Sequence, residues 1–275
     1  MSEQVNSAAD TTPTYGSSES YTQPEPEEPA RLGPLSRLSG TLFSPGETFA
    51  DVNRKPTWIA PMIVAVVTVL ASAFFFQWRV QPDWDSIIRT QIKKSLERRN
   101  QSIPEEQLQQ QVNVGKSFAK FFPIIGAVII PAMYAIIAGI FALGLMLIQA
   151  KTTYKKILSV VAWTMCATGV VSAIVTMASL MVRDEAELKS IDPTKPEGVV
   201  PTNLAAFLPS GSSPVLESLA GSIDIFTLWN LILLSIGLAI IAGSKKITAG
   251  KTARVVLGFW LVYVLVKLGW RAAFG

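Results

Sequence analysis

The sequence predicts an all-α polytopic integral membrane protein: five transmembrane helices accompanied by amphipathic interfacial helices. Three observations predict it. Only 16% of the 275 residues are charged and 49% are hydrophobic, against about 25% charged in an average soluble domain. The 24 basic and 20 acidic residues gather in a few blocks, and the uncharged runs between them approach the roughly 20 residues that cross a bilayer. Tryptophans and short basic loops flank those runs, as interfacial anchors and positive-inside loops do.

Residues 1–34 are rich in Ser, Thr, Pro and Glu and lack the apolar core of a secretory signal, so a disordered tail is expected there, followed by a membrane domain over 35–275. Ser44 and Glu47 have capping-box spacing, with Pro45 at the first helical position. Leu42 and Phe43 precede the cap, and Phe49 and Val52 lie one turn apart after it. This reads as a short amphipathic helix floating in the membrane interface, ended by Pro56. The first span follows over about 57–77, with Trp58 and Trp78 at its ends; twenty uncharged residues at 1.5 Å each match a core of about 30 Å.

Residues 79–120 are polar. Ile88, Ile92 and Leu96 recur every four residues, and Ser102 with Glu105 offers a second capping box before Leu108 and Val112. Two helices over the membrane surface are predicted; the repeat is too short to favour a coiled coil. The second span, 121–148, carries Pro123 and Pro131, so a tilt or kink is expected. Ala135, Ala138, Gly139 and Ala142 form a small-residue face suited to intramolecular packing. Lys151, Lys155 and Lys156 make a basic loop before the third span, 157–182. That span bears a hydroxyl stripe: Ser159, Thr164, Thr168, Ser172, Thr176 and Ser179. Such hydroxyls line a path or bond to their own helix backbone, and packing is the preferred reading.

Residues 183–224 hold seven carboxylates against three basic residues and five prolines, predicting a loop with short helices around Leu204 and Leu216. The fourth span, 225–243, begins at Asp224, an anion placed where the helix dipole favours it, and contains Trp229 and one amide, Asn230. The fifth, about 253–270, is complete only if Lys267 snorkels and the helix continues through Trp270 to Arg271.

Positive charge sets the threading. Five spans place the amino terminus and the loops 149–156 and 244–254 on one side; those loops hold three and four basic residues and no acid. The amino terminus is therefore expected in the cytoplasm and the acidic loop outside. The segment 79–120, with eight basic residues against five acidic ones, opposes this assignment.

The sequence supplies no catalytic, cofactor-binding or metal-ligating residues. It has no histidine, so the commonest general base and metal ligand is missing, and one cysteine, Cys166, so there is no intrachain disulfide. No phosphate-binding Gly-rich loop or nucleophile elbow occurs. The pI near 9.2 reflects membrane-flanking charge, and no nucleic-acid motif accompanies it. Asp224 and Lys267 sit near helix ends, where an intramembrane charge costs little, and Asn230 can bond across helices.

One family resemblance is present. Leu38, Leu42 and Phe43, then Ser44-Pro45-Gly46-Glu47-Thr48-Phe49, then Pro56-Thr57-Trp58 and an apolar span resemble the start of the Yip (Ypt-interacting-protein) domain. Tyr154-Lys155-Lys156-Ile157-Leu158-Ser159-Val160 is similar to its middle motif, and Trp229-Asn230-Leu231-Ile232-Leu233-Leu234-Ser235-Ile236-Gly237-Leu238 with Ser244-Lys245-Lys246 to its fourth span and loop. The resemblance covers about residues 35–268. It implies five helical spans and a cytosolic amino terminus. Eukaryotic members engage lipidated Rab-type GTPases in vesicle traffic, but this chain lacks their acidic-aromatic Gly-Pro motif before the first span, so GTPase binding is not carried over. A bacterial-type member in the inner (cell) membrane is expected. The function expected is a non-enzymatic membrane scaffold or trafficking and membrane-organisation protein, whose partners are the bilayer and membrane or cytoplasmic proteins; the alternative is a small-molecule or ion permease or channel.

Overall fold

Apolar runs become helices because a helix satisfies its own backbone, the one economical way to cross hydrocarbon with a single segment. The computed structural model describes residues 31–191, 199–209, 211–244 and 246–274. These form α1 (Pro34–Phe43), α2 (Pro45–Arg54), α3 (Ile59–Val80), α4 (Trp84–Arg98), α5 (Glu105–Leu147), α6 (Tyr154–Val182), α7 (Glu185–Ser190), a 3₁₀ turn (Leu204–Phe207), α8 (Pro214–Ala220), α9 (Ile225–Ile241) and α10 (Ala249–Phe274). Helices α3, α5, α6 and α10 are long and apolar enough to cross a bilayer, and the shorter apolar α9 supplies the fifth member. The chain is an all-α, polytopic membrane protein.

The bundle has two ends. At the first lie α1, α2 and the loops after α5 and α9, which touch: the Lys151 N–H donates to the Ala242 carbonyl at 3.0 Å. Gly243 turns there with φ +68°, and a side chain would meet the Lys151 carbonyl at 2.6 Å. At the opposite end lie α4, α7 and the 199–224 segment. Arg79 donates to the Arg183 carbonyl at 2.6 Å, Arg183 to the Val199 carbonyl at 2.8 Å, and Val80, Leu180, Leu188 and Val199 form a small apolar cluster. The main core fills the first end and centre, with Phe49, Trp163, Leu145, Leu234, Leu238, Ile241 and Val256 at its heart.

Several expectations are corrected. Of the tail expected over 1–34, residues 1–30 lie outside the described residues, whereas Arg31 and Leu32 are tied by their N–H groups to Asp51 and Pro34 opens α1, a helix the pattern did not announce. Neither capping box forms. Ser44 starts α2 as expected, yet its side chain caps nothing, because Ser44 also ends α1 with its N–H on the Gly40 carbonyl. Ser102 lies outside the helix it was expected to cap; α5 starts at Glu105 after Pro104.

The second surface helix and the second span are one 43-residue helix, α5, that runs through Pro123 and Pro131. At 1.5 Å per residue it is about 64 Å long, twice a bilayer core. Its first turns pair with α4 in a hairpin: Lys116 reaches Asp85 at 2.9 Å, Arg89 pairs with Glu105 and Gln109, and Ile88 packs where a side chain on Gly115 would approach to 2.8 Å. These pairs join bases to carboxylates of the same segment, so the net excess of three basic residues over 79–120 is unchanged. Finally, on the expected small-residue face of α5, Ala138 is buried but Gly139 has open space at its Cβ position, and the glycine that packs closely within the span is Gly144, against Val255 and Phe259 of α10.

Candidate functional site

The polar groups near or inside the spans are the places where chemistry would reside. Asp224 accepts from the N–H groups of Phe226 and Thr227 at 2.9 and 3.1 Å, the geometry of an N-cap. Lys267 donates to the Ser218 carbonyl at 3.2 Å and the Ser222 hydroxyl at 3.1 Å, so its ammonium is held by α8 and the turn that follows rather than released to water. Asn230 and Thr168 meet across α9 and α6 at 2.8 Å, the link expected of a lone amide. The hydroxyl stripe does not act as one unit. Ser159 bonds to the Lys155 carbonyl at 2.7 Å, Thr168 also to the Thr164 carbonyl at 3.0 Å, and Ser179 to the Val199 carbonyl at 3.2 Å. The Thr164 hydroxyl is buried without a hydrogen-bond partner among the described residues. A second inter-helix link, unannounced by the pattern, joins the Thr252 hydroxyl to the Ser235 carbonyl at 2.6 Å.

The most elaborate polar site lies in α1 and α2. Arg37 and Asp51 are both 2% exposed and form an ion pair at 2.7 Å. Arg37 also donates to the Lys55 carbonyl and the Thr57 hydroxyl, tying α1 to the entry of α3. Burial pushes the Asp51 carboxyl up, but the Arg31 N–H and the Arg37 guanidinium outweigh it and hold the group below its ordinary value. The pair escaped sequence reasoning because α1 was not recognised. The usable signal was Asp51 sharing one helix face with Thr48, Phe49 and Val52, all buried. That face rests on protein, not on lipid: a side chain at Gly237 would meet Val160 at 2.6 Å and Phe49 at 3.1 Å. The interfacial float is thus a helix docked between α6 and α9.

Phe49, Val160 and Gly237 belong respectively to the opening, middle and fourth-span motifs, so the three stretches carrying the resemblance converge on one packing point. A Yip1 domain model matches residues 39–270. The chain belongs to the Yip1 family. The Yip1 match takes in α2 to α9 whole, half of α1 and most of α10. Membrane protein YknW of Bacillus subtilis (strain 168) is 24% identical over 230 residues, 83% of this chain and 88% of the relative, which agrees with a bacterial-type Yip1 member. Neither name denotes an enzymatic activity. No solved structure matches. Among the described residues no group of three or more metal-ligating side chains occurs.

Proposed function

We propose that this Yip1 protein is a non-enzymatic scaffold of the bacterial inner membrane, with its amino terminus in the cytoplasm, that organises membrane or cytoplasmic partners. One observation carries the reading: the lone amide Asn230 and the buried Thr252 hydroxyl serve helix-to-helix links, Asn230–Thr168 and Thr252–Ser235, while the projecting hairpin and the charged surfaces lie outside the spans. A permease is expected to keep a polar or unwound site near the midplane; here Thr168 faces its own backbone and α9. The cytoplasmic amino terminus rests on the loops at 149–156 and 244–254, which share an end with α1 and carry only basic charge.

The test is reconstitution of the purified chain in sealed vesicles, with flux of potassium, chloride, protons and small neutral solutes measured against protein-free vesicles. Equal flux, together with in-cell photocrosslinks from the hairpin tip to a defined membrane protein, supports the scaffold. Flux that rises with protein and falls in Thr168→Val or Asn230→Leu overturns it in favour of the permease.

A further inference from the structure

The two ends of the bundle differ in how much of their basic charge is offset. At the hairpin end, Arg89 and Lys116 meet carboxylates, Arg79 meets a carbonyl and Lys267 meets Ser218 and Ser222, while the exposed Lys93, Lys94, Arg98 and Arg99 lie in a segment, 79–120, that carries five carboxylates. At the other end, residues 31–56, 149–156 and 244–254 hold eleven basic residues against two carboxylates, Glu47 and Asp51. Asp51 is already committed to Arg37 and to two backbone N–H groups, so it neutralises nothing outside α1 and α2. Lys151, Lys246, Lys251 and Arg254 are exposed, and none of them joins an ion pair among the described residues. The loops bearing Lys151 and Lys246 are in direct contact, since the Lys151 N–H holds the Ala242 carbonyl. Exposed Leu35, Phe43, Met146 and Leu147 share that end. Basic groups beside outward apolar side chains sit where phospholipid headgroups meet acyl chains, and lysine stems can lie along the apolar surface while their ammonium groups reach the phosphate.

We propose that this end is a recognition surface for anionic phospholipid headgroups, with Lys151, Lys246, Lys251 and Arg254 as its core contacts. A scaffold and a permease would carry it equally, so it stands apart from the function proposed above. Each basic residue near an anionic leaflet contributes attraction comparable to a factor of about five, and the geometry gathers four of them on two touching loops and the first turns of α10.

The experiment uses the full chain in phosphatidylcholine vesicles containing trace spin-labelled phosphatidylglycerol or spin-labelled phosphatidylcholine, with the protein-restricted fraction of each read by electron spin resonance. Phosphatidylglycerol should be favoured about fivefold or more at low salt, less at high salt. The variant Lys151→Gln/Lys246→Gln/Lys251→Gln/Arg254→Gln should fall below about twofold with its helix content intact. A matched variant at the hairpin tip, Lys93→Gln/Lys94→Gln/Arg98→Gln/Arg99→Gln, should keep the preference. Equal association of the two lipids overturns the proposal, as does a preference unmoved by the first variant or abolished equally by the second. Residues 1–30 carry six carboxylates and no Lys or Arg; a preference that emerges only when they are removed would make that segment the occupant and overturn the lipid assignment.

Discussion

Replacing Asp51 with alanine tests the account of α1 and α2 most directly. The carboxylate accepts from Arg31 N–H at 2.9 Å, Leu32 N–H at 3.3 Å and Arg37 Nε at 2.9 Å, and its ion pair with Arg37 is closed at 2.7 Å. Its removal leaves a guanidinium buried without its counter-charge, a change that costs about 3–5 kcal/mol. Arg37 keeps the Lys55 carbonyl at 3.1 Å, the Asp51 carbonyl at 3.3 Å and the Thr57 hydroxyl. Those contacts place the expected loss near the lower bound, about 3 kcal/mol. Arg37→Met/Asp51→Leu removes both charges and fills the space with apolar atoms, so it should lose about 1 kcal/mol or less. The assay is equilibrium unfolding of the purified protein by sodium dodecyl sulfate in mixed micelles, followed by circular dichroism. A loss below about 1 kcal/mol in Asp51→Ala, or an equal loss in the double variant, would refute the view that an uncompensated buried charge is what the single variant creates.

Gly144→Ala puts a Cβ 2.5 Å from both Val255 Cγ1 and Phe259 Cε2, so unfolding in the same assay should show a loss of about 1–3 kcal/mol. Gly139→Ala meets nothing within 4 Å and should be neutral or slightly stabilising, since alanine favours helix over glycine. Asn230→Leu breaks the 2.8 Å link to Thr168 and should cost about 0.6–1.7 kcal/mol, with Thr168→Val adding little on top because both remove one bond. The hydrogen bond from Lys116 holds the Asp85 carboxyl below its ordinary value of 3.8, against a smaller upward push from burial and with further help from the charges of Lys116 and Arg89. A depressed folded-state value means that the contribution is fully present above the unfolded value and is lost as pH falls through the folded one. Hydrogen exchange of α4 amides, corrected for intrinsic rates, should therefore hold steady down to the ordinary carboxylate value and accelerate below it, and Lys116→Gln should lower protection at neutral pH and flatten that acid dependence.

The helices that cross were legible because their determinant is local: an uncharged run of sufficient length needs no partner to identify it. Asp224 as a cap and Asn230 as a cross-helix donor or acceptor were legible for the same reason, each being a lone polar group in an apolar stretch. Errors gathered where two segments compete for one residue. Ser44 has capping-box spacing, but α1 ends on it and orients it otherwise. Phe49 and Val52 have the spacing of a lipid-facing stripe, yet both are completely buried, because spacing defines an apolar face and not what covers it. Gly139 and Gly144 are alike as letters; only the approach of α10 leaves no room for a side chain at one of them.

The sequence by itself determined the solvent of this protein, the number of apolar helices and the asymmetry of charge between its loops, since all three follow from composition along the chain. The tertiary structure alone decided that α2 docks between α6 and α9, that α4 and the start of α5 form one projecting hairpin, and that the charges of Arg37 and Asp51 cancel in private while Lys151, Lys246, Lys251 and Arg254 stay exposed. The physical reason is that burial and charge compensation are properties of pairs distant in sequence, and a pattern of single residues does not specify which pairs will meet.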